Sequence, residues 1–505
     1  MYQRSLYAAH YGTGRYDEGG FLFSGGFYIS GYSNGTLWAN AQATAPLTVN
    51  YLPGRVGDDP GDPGNIVYLV GASDPAFGYN WQRWRNAVEL GADFYDGDKD
   101  GMYNPVDKNW NGIWDTNEDM PDLLGDQTAW CVYNDGVTDR LRFAGVDPQG
   151  IEIQQTLFAT SQQELSEVIF LRYEIINRGT ESNLLDSVYF SIWTDPDLGV
   201  YVNDFVASDS LLNSTFCYDK DSDYVYGINS PAFFTTLLQG PISASTILGD
   251  VGYNNMGPLL GVEEFPDSKN LGTPSLAGSE RFFPVADPND EFTARYMMLG
   301  YDARGDELDP CTFNLGEVIG GIDCSAINPK YWYSGDPVEG VGWINSVGTD
   351  KRMFVNTGPF TLEKDKPVTI IGAYVLGRGT DALNSITVAR ENVRRAILEY
   401  ESNFASLIYD PGEPINPVAD YKLYHNYPNP FNPTTTIRYE LPQDGIVTIK
   451  LYDILGQEVT TILNEFKKAD RYEVKFDAGG LASGVYIYRM KVNDFITSKK
   501  MVLVR

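Results

Sequence analysis

The chain has 505 residues and a formal net charge of −31, from 37 Lys+Arg against 68 Asp+Glu. That acidity excludes a nucleic-acid-binding role, which needs a basic face, and the length implies several domains. With 51 Gly, 28 Pro, 34 Tyr, 25 Phe and 9 Trp, turns must be frequent and large apolar cores are available, so β structure is favoured over helix bundles.

Residues 19–38 alternate glycines with aromatic and apolar residues, and Asn34-Gly35 sits between two such runs. An Asn-Gly pair in that setting predicts β-hairpins. The Pro-, Gly- and Asp-rich stretch 52–64 reads as a loop, and Trp81–Leu90 as a short helix.

Residues 96–118 carry the clearest chemistry. Asp96, Asp98 and Asp100 alternate and precede Gly101; eleven residues on, Asp107, Asn109 and Asn111 precede Gly112, with Glu118 at the twelfth place. Oxygens at places 1, 3 and 5 converge on one ion, a glycine at 6 permits the turn, and a carboxylate at 12 closes the cage. Asp107 is expected to end the first loop and begin the second. Hard oxygen ligands without His or Cys select Ca2+ over zinc or copper. No amphipathic helix flanks the loops, so they are not EF-hands; they resemble the tandem acidic loops of thrombospondin type 3 repeats and dockerins. The role expected of the metal is structural.

Gly125–Asn134 leads into a β-rich region, 126–375. Val168–Ile176 reads as a strand, and Asp186–Trp193, a short link away, as its partner. Asp195, Asp197, Asn203, Asp204 and Asp209 follow, then Asp219, Asp221 and Asp223. This second acidic cluster fits no fixed motif. Asp195, Asp197, Asp204 and Asp209 are its candidate ligands, with a solvated loop as the alternative. Residues 240–345 are loop-rich. Lys366–Leu376 is nearly continuously apolar and is expected to be a central strand. Asp381–Ser406 is a helix, with Leu383, Ile386, Val393, Ile397, Tyr400 and Phe404 on its apolar face and Arg390, Glu391, Arg394, Arg395 and Glu399 facing out. Leu124–Asp135, Thr194–Gly199 and Gly358–Leu362 resemble a recurrent class of uncharacterised secreted proteins, a resemblance that brings no activity with it.

Asp410–Pro417 is a stiff Pro-rich linker. Beyond it the charge changes sign: from Tyr421 onward there are 12 Lys+Arg against 9 Asp+Glu, leaving 25 against 59 before it. The three prolines of 426–433 force an extended lead-in. Alternating runs follow at 436–441, 447–452, 471–476, 484–490 and 497–504, separated by turn residues, as in a small antiparallel sandwich. Asn426–Thr435, Leu451–Val459, Ser483–Met490 and Lys499–Val504 together resemble the type A C-terminal sorting domain of the type IX secretion system of Bacteroidetes. The resemblance implies export across the outer membrane, a secreted or cell-surface location, and contact with the secretion machinery through 421–505. Such cargo is expected to begin with a signal peptide. Met1–Tyr7 has no apolar core of that kind, so the native start is expected to lie upstream or to have been processed.

The expected organisation is thus mainly β: an N-terminal β-hairpin region (1–90), the tandem calcium-loop segment (91–124), a main β-sandwich region ending in a helix (125–408), a linker (409–420) and an Ig-like C-terminal domain (421–505). No apolar run is long enough to span a membrane as a helix. Four cysteines, Cys131, Cys217, Cys311 and Cys324, suggest disulfides in an exported protein, with three pairings open, among them Cys311 with Cys324 and Cys131 with Cys217. Only two histidines exist, His10 and His425, and no GxSxG, HExxH or phosphate loop, so no catalytic constellation is found. Asp302, Asp306 and Glu307 with Trp332 and Trp343 could line a sugar cleft, although tryptophans of this kind are more often core. The leading expectation is a secreted, calcium-stabilised structural or adhesive protein that self-associates or binds surface glycans, forming a layer or filament. The alternative is a carbohydrate-binding protein or glycoside-degrading enzyme; a peptidase is the remotest reading.

Overall fold

The computed structural model describes residues 14–17, 19–43, 48–138, 142–280, 282–411, 420–468 and 470–504; the chain's first residues, His10 and most of the linker lie outside them. The described chain is mainly β, with antiparallel sheets throughout. It forms two compact units, Met1–Pro105 with Asp119–Asp410, and Val106–Glu118 with Pro411–Arg505.

In the larger unit a seven-stranded sheet packs on a six-stranded one. The first runs Ser275–Ser279, Arg352–Glu363, Leu184–Pro196, Gly19–Ser33, Thr36–Ala43, Thr48–Val49, with Gly14–Tyr16 added to Gly19–Ser33. The hairpin between Gly19–Ser33 and Thr36–Ala43 turns at Asn34 (φ 51°) and Gly35 (φ 81°), the left-handed pair that matches strand twist. The second sheet runs Ile151–Ala159, Val168–Asn177, Val368–Gly377, Ala232–Gln239, Ser214–Tyr218, Phe205–Asp209. Phe27 and Phe190 of the first sheet meet Tyr173 of the second, with ring centroids 5.2–6.0 Å apart.

Val368–Gly377 is central, as its apolar run implies. One face meets the opposite sheet and the other meets the Ala382–Glu401 helix, so neither face is left for polar side chains. Asp381 caps that helix, accepting from the Asn384 N–H at 2.8 Å. The face it buries includes small side chains, among them Ser385, Ala389 and Ala396, and this permits close approach. At Gly377 a Cβ would lie 2.2 Å from the Ala389 nitrogen, so only glycine fits. Arg390, expected to face outward, is instead largely buried and pairs with Asp209 and Asp336 at 3.1 and 2.9 Å.

The expected pairing of Val168–Ile176 with Asp186–Trp193 is not formed. Val168–Asn177 pairs with Ile151–Ala159 and Val368–Gly377, whereas Leu184–Pro196 pairs with Gly19–Ser33 and Arg352–Glu363. Both runs are buried on both faces, so each is a central strand, and the short link passes from one sheet to the other. Asn177 fixes this crossing: its side-chain amide donates to the Ser182 and Leu362 carbonyls.

Within 240–345 the chain forms small hairpins and an unforeseen helix, Glu291–Met298, opened by a capping box between Asp290 and Thr293. Cys311 and Cys324 form a disulfide, while Cys131 and Cys217 are buried free thiols. Trp332 and Trp343 are buried core side chains, and Asp302 is engaged by Arg304 at 2.6 Å, so these residues form no sugar cleft.

The smaller unit has a three-stranded sheet (Lys422–Leu423, Thr434–Leu441, Asp470–Asp477) and a four-stranded sheet (Glu458–Lys467, Gly445–Tyr452, Gly484–Val492, Phe495–Leu503). Their core includes Ile437, Tyr439, Ile449, Leu451, Tyr488, Met490 and Met501. Glu458–Lys467 was not foreseen as a strand because most of it is exposed and polar. The proline-rich lead-in is fastened to this sandwich. The Tyr488 hydroxyl accepts from the Asn426 N–H at 2.9 Å and donates to the Tyr424 carbonyl at 2.6 Å, and Phe431 exchanges backbone hydrogen bonds with Val502 and Val504. The separated sequence blocks of the tail are thus parts of one packed unit.

Candidate metal centres

In the first acidic loop the carboxylates of Asp96, Asp98 and Asp100 turn back on their own backbone. Asp96 accepts from the Asp100 and Gly101 N–H groups at 3.2 and 2.9 Å, and Asp100 from Met102 N–H at 2.7 Å. Lys99 (φ 62°) and Gly101 (φ 78°) supply the sharp bends. The carboxylate that comes within 4.8 Å of Asp96 and Asp98 is Asp119. It is buried, and its two oxygens accept from Gly97 and Asn104 N–H at 3.1 and 2.7 Å. Burial, then the charges of Asp98 and Asp96, raise its pKa against these hydrogen bonds. Sequence spacing gave that closing place to Asp107.

The second loop repeats the first. Trp110 (φ 65°) and Gly112 (φ 80°) occupy the same loop places as Lys99 and Gly101. Asp107 serves this loop with both oxygens, accepting from Trp110 and Gly112 N–H at 2.5 and 2.8 Å. Asn109 and Asn111 donate their amides to Asp115 at 2.7 and 3.0 Å. Glu118 is buried and accepts from the Lys108 and Asp115 N–H groups. Its pKa is raised, by burial first and then by Asp107 and Asp115. Asp115, at the ninth place, is a further oxygen donor that the spacing argument passed over.

The later acidic cluster divides. Asp195 and Asp197 come together with Asp350, their carboxylate oxygens within 4.8 Å of one another. The register explains this. Thr194 pairs with Met353, so the end of the Leu184–Pro196 strand lies beside the start of Arg352–Glu363. Arg352 stands among them, 3.4 Å from Asp195, 2.5 Å from Asp350 and 3.7 Å from Asp287. Burial pushes Asp195 up to about 8, with Arg352 opposing and Asp350, Asp197 and Asp287 adding to the rise. Asp197 rises to about 6, by burial and then by Asp350.

Asp204 and Asp209 are placed elsewhere. Asp204 is fully buried, accepts from Leu198 N–H at 3.3 Å and takes Thr349 N–H on its carbonyl, so it braces the loops that carry Asp197 and Asp350. Asp209 is the ion-pair partner of Arg390. Asp219 is held by Asn203 and Ser230 at 2.8 and 2.6 Å, and Asp223 by the Val225 and Tyr226 N–H groups at 2.6 and 2.8 Å. These side chains build the loop.

Comparison with known proteins places the tail. Residues 425–504 match the family model of the secretion system C-terminal sorting domain. The protein is therefore one carried by the type IX secretion system to the cell surface or the medium, and its partner on that route is the secretion machinery. No helix among the described residues is long and apolar enough to cross a membrane. No curated protein sequence matches the chain. Among solved structures, a polysaccharide lyase is similar over 80% of this chain at 9% identity and a TM-score of 0.20; the chain spans 42% of that protein. A likeness at that score carries no argument.

Proposed function

We propose that the protein is a secreted, calcium-stabilised β-protein with a structural or adhesive role at the cell surface, and not an enzyme. The observation that carries this reading is the doubled loop. Two successive acidic segments repeat one backbone path, with left-handed residues at the same two places and carboxylates turned inward. Their donors are all oxygen, the preference of calcium, which accepts six to eight such ligands in loose geometry. Asp96, Asp98 and Asp119 would hold one ion; Asp107, Asn109, Asn111, Asp115 and Glu118 would hold the second. The closing carboxylates are buried and fixed by backbone N–H groups, which suits an ion that staples the chain and not one that offers an open place to substrate. The structural or adhesive role is supported by export through the tail.

The test is thermal unfolding of the full chain in calcium and in EGTA, with native mass and cell-binding measured alongside. A calcium-dependent rise in melting temperature with self-association or cell binding is the expected result. A monomer that binds no cells, and that cleaves a polysaccharide in a panel, would overturn the structural reading in favour of an enzyme.

A further inference from the structure

On the basis of the calcium reading of the second acidic loop, we infer that this loop is a calcium-set latch on the sorting sandwich, with Trp110 at its bend seated against Arg438 of the Thr434–Leu441 strand. Val106–Glu118 groups with the tail in one compact unit. Within that unit the Arg438 guanidinium carbon lies 4.8 Å from the centre of the Trp110 ring, a cation–π contact. Both partners are set for it. Trp110 is bent left-handed (φ 65°), which is uncommon for so bulky a residue. Lys99, at the same place in the first loop, leaves its side chain exposed, whereas Trp110 is half-buried. On the strand, Arg438 stands across the ladder from Glu473, whose carboxylate lies 3.9 Å from the Arg438 Nε.

The ion and the ring are coupled by the shortness of the loop. Trp110 lies between Asn109 and Asn111, and its N–H donates to Asp107, so three of the loop's oxygen donors adjoin the residue that makes the contact. An ion held by these side chains fixes the bend that aims the ring at Arg438. Without it the like charges of Asp107, Asp115 and Glu118 repel one another. The bend then relaxes and the ring leaves the strand. The coupling runs both ways: whatever factor calcium adds to the contact, the contact adds to calcium affinity.

The experiment follows amide hydrogen exchange of the full chain, in calcium and in EGTA, for the wild type, Trp110→Ala and Arg438→Gln. In the wild type calcium is expected to slow exchange in the loop and in Thr434–Leu441, the strand by about two- to fivefold, the range of one exposed cation–π contact. In either variant the loop should keep its calcium-dependent slowing and the strand should lose its own. Arg438→Gln leaves the loop's sequence intact, so it decides the matter should Trp110→Ala disturb the loop. Calcium that slows neither segment overturns the calcium reading, and the latch with it. Calcium that protects the loop but not the strand, or protects the strand equally in the wild type and in Arg438→Gln, overturns the latch alone.

Discussion

Replacing Asp119 by Asn tests how the first loop closes. In calcium the wild-type unit gains RT ln(1+[Ca]/Kd), about 2.7 kcal/mol at one hundred times Kd. If Asp119 is a ligand, its loss weakens affinity by about ten- to a hundredfold, so at the same calcium concentration roughly 1.3–2.3 kcal/mol of that gain disappears. For a unit of this size that is a fall of about 2–3 °C in melting temperature. Calcium-free protein behaves differently. The substituted amide keeps one acceptor oxygen for the N–H of Gly97 or Asn104 and gives up the other, a loss of about 1 kcal/mol. Removing a buried charge that Asp96 and Asp98 repel offsets part of it. Wild type and variant should therefore melt close together in EGTA and apart in calcium. Differential scanning calorimetry across a calcium titration reads this directly. An equal calcium-induced shift in wild type and Asp119→Asn would refute the assignment.

Four further outcomes are expected. Glu174 shares its surroundings with Asp93, Asp122 and Arg172, and burial raises its pKa to about 7 from an ordinary 4.5. A raised carboxylate stabilises the fold while it keeps its proton, so stability falls as pH climbs from the ordinary 4.5 through about 7; Glu174→Gln should flatten that slope in denaturant titrations run in saturating calcium. Gly377→Ala places a methyl against the Ala389 backbone and should cost about 3 kcal/mol or more, seen as a lowered midpoint in urea. Tyr488→Phe leaves the Asn426 N–H and the Tyr424 carbonyl without their partner, which should destabilise the tail by about 1–3 kcal/mol and reduce export in a secretion assay. Alkylation of the native protein should modify neither Cys131 nor Cys217 until denaturant is added, with Cys311 and Cys324 labelled only after reduction; rapid native labelling of Cys131 would contradict its burial.

What the sequence disclosed is what short-range physics decides. The Asn34-Gly35 turn, the Tyr79–Leu90 and Ala382–Glu401 helices, the apolar central strand and the doubled acidic loops each depend on neighbours a few residues away, and each stands in the structure. The Glu291–Met298 helix carries its own signal, Asp290 followed three residues later by Thr293, set among turn residues. Strand partnership is another matter. The short link between Val168–Asn177 and Leu184–Pro196 suggested a hairpin, but each run is buried on both faces and flanked by strands on either side, and the chain crosses between sheets.

The same distinction governs the acidic residues. Glu118-Asp119 stands as a doublet at the end of the loops. Spacing alone credits Glu118, whereas three-dimensional closure draws Asp119 to Asp96 and Asp98. Asp195 and Asp209 look alike in sequence, each an aspartate in or beside a strand within one acidic run. Asp209 meets Arg390 from the long helix and becomes an ordinary ion pair. Asp195 meets Asp350 and Asp197 around Arg352, with more negative charge than the guanidinium balances. Composition shows that this chain is acidic. Which of its carboxylates end in ion pairs depends on where strand register and helix packing deliver the arginines, Arg390 to Asp209 and Arg352 to Asp195.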